Sequence, residues 1–548
     1  MLRKYWKLLF GFFLVVLFTG FYANKDIYFE ISKNIDLFGK VYKEVTLNYV
    51  DEIDLEEFMK TGIQGMLNSL DPYTVFIDDS KKDEIELITN GKYAGVGISV
   101  AVRGDKVIIS EVFDGYAAQK QGIHTGDVLV GVSDVAISPN NYEQISSLIK
   151  GEPGTTVDMT VVRNNEQDTI NFNIVREEIS VKNLAYYGFY PKNSNNVYLK
   201  LIGFSRSAGE EVRQALKELE SQKRIESIVL DLRNNPGGLL DAAVQICEKF
   251  LDKDQIIVST RGRDASKEKR YYSDENPIMS REKLVVLVND GSASASEIVA
   301  GAIQDHDRGL IIGTKTFGKG LVQTISNLGY NTQLKITTAK YYTPSGRCIQ
   351  KIDYSSRNHV ISKADTIVAA RFLTDNSREV FSAGGITPDS TIEFETESGL
   401  TQELFAQGMF FRFADYYTAN NEDIKLSSLN NDELISEFQK FLSKEKFVYK
   451  SDAEKEIDKL YDEAKNKKLS ADVFIDLNRI KTQFGSLNNN EIKIYRDEIL
   501  SEIRSEIALK INGFNGKTEE LLNGDKQFQA AFSIASNNEL FKKLLNSK

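Results

Sequence analysis

The stretch LVVLVNDGSASASEIVAGAIQD, Leu284–Asp305, decides the fold. Leu284–Asn289 reads as a strand, a glycine- and serine-rich turn follows, and Ile298, Val299, Ala302 and Ile303 then recur at helical spacing. The same order appears upstream. VYLKLIGF from Val197 leads to a helical pattern through Val212 and Leu219. SIVLDLR, Ser227–Arg233, then ends in NNPGG at Asn234–Gly238, and a helix is expected over Leu239–Phe250. Further strands are expected at Ile256–Arg261 and, after a return, at Gln333–Thr343. Alternating strands and helices argue for an α/β layer structure with largely parallel strands, whose sites lie at strand ends. Here two strand ends carry glycine-rich loops.

Ser294 falls where the helix after Leu284–Asn289 should begin. The unpaired N–H groups of a helix start favour developing negative charge, so an oxyanion formed by attack of Ser294 would meet the Ala295 N–H. Gly237 or Gly238 could supply a second donor, since a bare backbone N–H can approach a substrate closely. Ser292 and Ser296 compete for the nucleophile's role, or serve as helix caps. A hydroxyl needs a base, and the chain has only three histidines. Lys319, in TFGKG at Thr316–Gly320, is the alternative, because a desolvated lysine can stay neutral. The helix rises about 15 Å from Ser294 to Gln304 and the strand after Gly309 runs back about 20 Å, which returns Lys319 to the helix start. Gln323, four residues on, could orient the amine, and Phe317 could exclude water. His306 lies roughly 18 Å along the helix and cannot reach the hydroxyl. No complete GxxxxGK[ST] phosphate loop and no HExxH is present.

At 548 residues, with 41% hydrophobic and 27% charged residues, the chain reads as several globular units. A net charge of −11 argues against a nucleic-acid partner. Two cysteines, Cys247 and Cys348, exclude a disulfide framework and carry no metal-ligand spacing, so no metal or cofactor is expected. Arg3, Lys4 and Lys7 precede the uncharged run Leu8–Ala23, an export signal or anchor that would place everything after Lys25 outside the cytoplasm. Phe21 and Tyr22 occupy the places a cleavage site needs small residues, which favours a retained anchor. Helical spacing follows over residues 26–80, and again from residue 400 to the end, where glycine and proline are sparse. Between Gly91 and Arg176 the period shortens to strands. There YAGVGI (Tyr93–Ile98), AAQKQGIHTGD (Ala117–Asp127) and KGEPGTTV (Lys150–Val157) resemble a bacterial PDZ domain. Gly95, Val96, Gly97 and Ile98 are the candidates for its carboxylate-binding loop, with a peptide tail adding a strand to the sheet edge. The same glycines could instead only make a turn.

From Leu70 to Asp389 the chain resembles the carboxyl-terminal processing proteases, the tail-specific serine peptidases of family S41. The motifs are LDPYT, the PDZ segment, DLRNNPGG, GSASASEIVAGAIQD, TFGKGLVQ, YYTPSGR and GGITPD. The resemblance implies Ser294 as nucleophile, Lys319 as base, Gln323 as its assistant, and oxyanion donors at Ala295 and one of Gly237 and Gly238; Asp305 is expected to be structural. It also implies a crotonase-like α/β protease core with an inserted PDZ lid, often dimeric through N-terminal helices, acting on proteins with a free C-terminus. The expected divisions are 1–24 signal or anchor, 25–85 N-terminal helices, 86–178 PDZ, 179–398 protease core and 399–548 helical extension. The extension matches no motif. A PDZ scaffold on an inactive core is the competing reading, and intact Ser294, Lys319 and Gln323 argue against it.

Overall fold

A computed structural model describes residues 27–78, 82–163, 169–264, 266–354, 369–382, 384–394, 396–421 and 424–546. The N-terminal basic and apolar run lies outside them, and among the described residues no helix is long and apolar enough to cross a membrane. The chain divides after Phe76 into two units. In the first, α1 (Ile27–Asn48) and α2 (Leu55–Leu67) are joined by a Tyr42–Phe58 ring stack at 5.5 Å, and Asp54 caps α2 by accepting from the Glu56 and Glu57 N–H groups. Within this unit Ile31, Ile35, Phe38 and Val41 remain exposed.

In the second unit the PDZ domain is an antiparallel sheet. Its edge strand β1 (Ile98–Arg103) pairs with β2 (Lys106–Val112), followed by β3 (Val128–Val132), β4 (Thr156–Val162) and β5 (Thr169–Val175). Helix α3 (Tyr142–Ile149) packs Ile145 and Ile149 into its core beside Val100 and Val102. The chain enters and leaves through a two-stranded antiparallel ribbon, Lys92–Gly95 against Glu177–Ser180. Tight pairing of entry and exit makes the domain an insertion on one stalk.

The protease core is a six-stranded sheet in the order β6 (Leu184–Phe189), β7 (Asn196–Leu201), β8 (Ser227–Asp231), β11 (Lys283–Val288), β12 (Leu310–Gly313) and β15 (Ser390–Thr391). All neighbours are parallel except β6 and β7. Its strands are apolar on both faces, as parallel strands must be when both are covered. Ile228, Leu230, Leu284, Val286, Val288 and Ile311 face α4 (Ala208–Gln222), α5 (Leu240–Cys247) and α6 (Ala295–Asp305). The alternate residues Val229, Val285, Leu287, Leu310 and Ile312 form a second cluster with Leu522, Phe528, Ala531 and Ile534 from the C-terminal helices.

One expectation is corrected. The strand at β9 (Ile256–Gly262) does not join the parallel sheet. It pairs antiparallel with β10 (Lys269–Tyr272) and β14 (Thr332–Tyr342), which also forms a long hairpin with β13 (Leu321–Gly329). Polar Ser259, Thr260 and Arg261 on β9 suit a mixed environment rather than the central apolar layer. The helical extension, expected over 399–548, has its own core and also packs back on the sheet. Helices α7 (Gly399–Ala406), α8 (Met409–Asn420), α9 (Asn431–Lys444) and α12 (Arg496–Gly524) build their own core, with α10 (Asp452–Asn466) and α11 (Ala471–Ile494) as a hairpin. Then α13 (Lys526–Ser536) and α14 (Asn538–Leu545) close the second face of the central sheet.

Candidate active site

Helix α6 begins directly after a turn in which Ser294 has φ 55° and ψ −111°, a strained backbone for a residue with a side chain. The neighbouring serines are committed elsewhere. Ser292 Oγ donates to Leu232 O at 2.7 Å and Ser296 Oγ to Asn235 O at 2.9 Å, and both are fully buried. They lock the turn to the loop after β8. The hydroxyl of Ser294, half-buried, is given to no backbone carbonyl among the described residues.

Lys319 arrives on the segment between β12 and β13, and two buried side chains fix its backbone to that of Ser294. Glu297 Oε2 accepts from the N–H of Ser294 and from the N–H of Lys319, each at 2.9 Å. Its other oxygen accepts from Thr316 Oγ1 at 2.6 Å and the Gly318 N–H at 2.8 Å. Tyr341, on β14 and 1% exposed, turns its hydroxyl to Ser294 O at 3.1 Å and to Lys319 O. The two backbones therefore share an acceptor on one side and a donor on the other. Gly318 has φ 88°, and a Cβ there would lie 2.8 Å from Lys351 Cβ and 3.0 Å from Gly385 N, so the segment has room for no side chain.

Burial pushes the Glu297 carboxyl up to about 7, against the pull of its four donors. Both stitching residues stand in motifs of the sequence, GSASASE and YYTPSGR, that assign neither of them a role. Glu297 was legible: Ser294 and Glu297 stand in the S-x-x-E spacing of a capping box. Tyr341 had no such local signal.

The NNPGG loop lies over Ser294. A Cβ on Gly237 (φ 96°) would fall 2.6 Å from Ala293 O, 2.8 Å from Ala295 N and 2.9 Å from Ser294 Cβ. Ala295 is the first residue of α6, so its N–H has no partner within the helix. Gly237 gives its N–H to Asn235 Oδ1 at 3.0 Å, whereas Gly238 is held by a bridge of its chain to Phe204. Gln323 lies on β13 opposite Thr337 and donates to Thr337 Oγ1 at 3.2 Å. Phe317 is 47% exposed and does not seal the site. His306 ends α6 and is engaged with Asp375 and Ile256 O, and Asp305 is buried against Arg347 at 2.7 Å. Among the described residues no cluster of His, Cys, Asp and Glu could hold a metal ion.

The PDZ candidates lie at the join of stalk and edge strand. Gly95 closes the ribbon opposite Glu177, Val96 O and Gly97 O accept from the Ala118 and Phe113 N–H groups, and Ile98 opens β1. Gly97 has φ 85°.

The model of peptidase family S41 matches residues 195–356, a PDZ model matches 94–174, and models of the activating protease CtpB N-terminal domain and of a PDZ-protease C-terminal helical domain match 22–81 and 400–535. A carboxy-terminal-processing protease of Bartonella bacilliformis is 38% identical over 323 residues, covering 58% of this chain and 73% of the relative. The chain belongs to family S41. Within it, the carboxy-terminal processing protease CtpB of Bacillus subtilis is 31% identical, over 59% of this chain and 67% of its own. Among solved structures, a photosystem II D1 C-terminal processing protease is 28% identical, covers 65% of this chain and 92% of its own, and has a TM-score of 0.35. The S41 membership makes this chain a serine-type peptidase of the carboxy-terminal processing kind, with a PDZ domain and helical domains at both ends.

Proposed function

We propose that this S41 peptidase is a Ser/Lys endopeptidase that cleaves exported proteins near their C-termini. Lys319 takes the proton of Ser294 Oγ as the oxygen attacks the scissile carbonyl carbon. The resulting oxyanion is held by the Ala295 N–H and a glycine N–H of the NPGG turn; Gly238 is favoured, since Gly237 donates to Asn235. Lys319 then protonates the leaving amine, and in deacylation takes a proton from water so that Ser294 is regenerated. Gln323 orients the lysine. The observation that carries this reading is the double stitch, in which Glu297 and Tyr341 each bind the backbones of Ser294 and Lys319.

The PDZ domain gathers the substrate's free C-terminus, with the N–H groups of Gly95–Ile98 taking the carboxylate and β1 offering its edge. The basic residues Arg3, Lys4 and Lys7 before the apolar run hold the N-terminus at the inner face of a membrane, with the protease outside the cytoplasm. The exposed apolar residues of α1 form a homodimer contact. The chemistry is tested with Ser294→Ala and Lys319→Ala on a protein ending in an apolar tail. Both variants are expected to lose cleavage while melting like the parent, and turnover retained in either overturns the dyad.

A further inference from the structure

The loop that carries Gly237 and Gly238 is held from two directions. Toward the nucleophile, Asn235 O accepts from the Ala293 N–H at 3.1 Å, and Asn234 and Asn289 exchange hydrogen bonds of 2.8 Å. Away from it, the only long side chain of the loop is Arg233, whose guanidinium is 12% exposed and reaches the C-terminal extension. Its Nη1 and Nη2 meet the two oxygens of Asp525 at 3.0 and 2.6 Å, a bidentate fork. Its Nε and Nη2 also hold Asp231, at 3.0 and 2.6 Å, and Nη1 reaches Gln527 Oε1 at 3.1 Å.

Asp525 is itself fixed. Its Oδ1 accepts the Phe528 N–H at 2.9 Å and so caps α13, the helix that lies on the central sheet. Gln527 donates to Ile392 O at 2.7 Å, just past the edge strand β15. Asp231, buried at the end of β8, also accepts from Tyr198 OH at 2.8 Å. A rigid strand end and a rigid helix start thus grip one guanidinium, and the next residue, Asn234, begins the turn with φ 59°.

We infer that Asp525 and Arg233 are a positioning pair for the oxyanion loop, so that the helical extension supplies a residue on which the rate of peptide cleavage depends. This rests on the reading of Ser294 and the NPGG turn as the hydrolytic site. The clearance is narrow, because a Cβ on Gly237 would fall 2.8 Å from Ala295 N and 2.9 Å from Ser294 Cβ. Loop height over the serine matters for charge developing in the transition state and much less for ground-state binding of the peptide. Loss of the fork therefore lowers kcat and leaves KM.

The test uses the full chain. Asp525→Asn keeps the size and the helix cap, since asparagine caps as well as aspartate, but removes the charge opposite Arg233. Expected is a fall in kcat of about tenfold with KM and the thermal midpoint close to parental values, a smaller loss than deletion of an oxyanion donor causes. Arg233→Lys, which keeps the charge and loses the fork, moves kcat in the same direction. Ile534→Ala loosens α13 nine residues beyond Asp525, about 13 Å along the helix, and is expected to lower the midpoint while sparing kcat. Parental kcat in both Asp525→Asn and Arg233→Lys overturns the inference, as does a kcat loss in Ile534→Ala equal to theirs. Ser294→Ala run alongside separates the failures: if it still cleaves, the site reading is wrong, and if it is dead while the pair variants are fully active, only the positioning role is wrong.

Discussion

Glu297 occupies the third position of the helix that Ser294 begins, and both its oxygens face donors. That environment fits a carboxylate and gives a carboxylic acid's own proton no carbonyl to meet. Burial nevertheless raises the group from 4.5 to about 7. The raised value means that the folded chain binds a proton the unfolded chain has released. Glu297 thus contributes stability below about 4.5 that is lost as pH rises through about 7, while its grip on the N–H groups of Ser294 and Lys319 is best above that value. Cleavage should therefore rise through pH 7 as Glu297 ionises. Glu297→Gln places an amide NH2 among donors; we expect its kcat to fall by roughly a hundredfold and the limb near pH 7 to vanish. A parental pH–rate profile in that variant would remove Glu297 from the site's control. Gly237→Ala is expected to be as damaging, since its methyl would meet backbone atoms at 2.6 and 2.8 Å at a φ alanine resists; measurable cleavage near the parental rate would contradict the placement of that loop.

At the scale of elements, the sequence pattern and the structure agree wherever a signal is local. The strand-turn-helix units at Ser227–Cys247 and Lys283–Asp305 follow from apolar runs broken by glycine loops. The assignment of β9 to the parallel sheet failed because its membership depends on pairing with β14, whose register no local pattern records. Tyr341 stayed invisible for the same reason, its value lying in two carbonyls distant in sequence. The PDZ edge shows a further long-range contact. Tyr142 OH, on α3, donates to Val100 O at 2.9 Å, so a groove-side acceptor of β1 is taken before any tail arrives. A peptide adding to β1 competes with that hydroxyl. Tyr142→Phe should tighten binding of a C-terminal peptide by roughly threefold to tenfold, the worth of one net hydrogen bond, as read by calorimetry. Unchanged or weaker binding would mean that the tail does not use this edge.

For the whole molecule, the decisive fact is that the central sheet needs two covers and finds the second at the far end of the chain. The alternation was present in the sequence: in Leu284–Val288 every residue is apolar, which leaves no face suited to water. What could not be read was which helices lie there, because 399–548 repeats one amphipathic pattern many times and only its last part meets the sheet. The ring of Phe528 stands edge-on to Tyr198 and Tyr190 at 5.0 and 4.9 Å and is fully buried. Phe528→Ala should accordingly cost about 3 to 5 kcal/mol in urea unfolding, the usual loss for a large buried aromatic. Ending the chain at residue 398 removes every such contact and lays bare Val229, Val285, Leu287, Leu310 and Ile312, all at most 1% exposed in the full chain. A sheet face of that kind associates or collapses in water. The truncated protein is expected to be aggregated or to lack a cooperative melt, even though Ser294, Lys319, the NNPGG turn and the PDZ domain are all still present. A soluble, cooperatively melting, active chain of 398 residues would show that the extension is an accessory after all, and that the sheet can cover its second face in some other way.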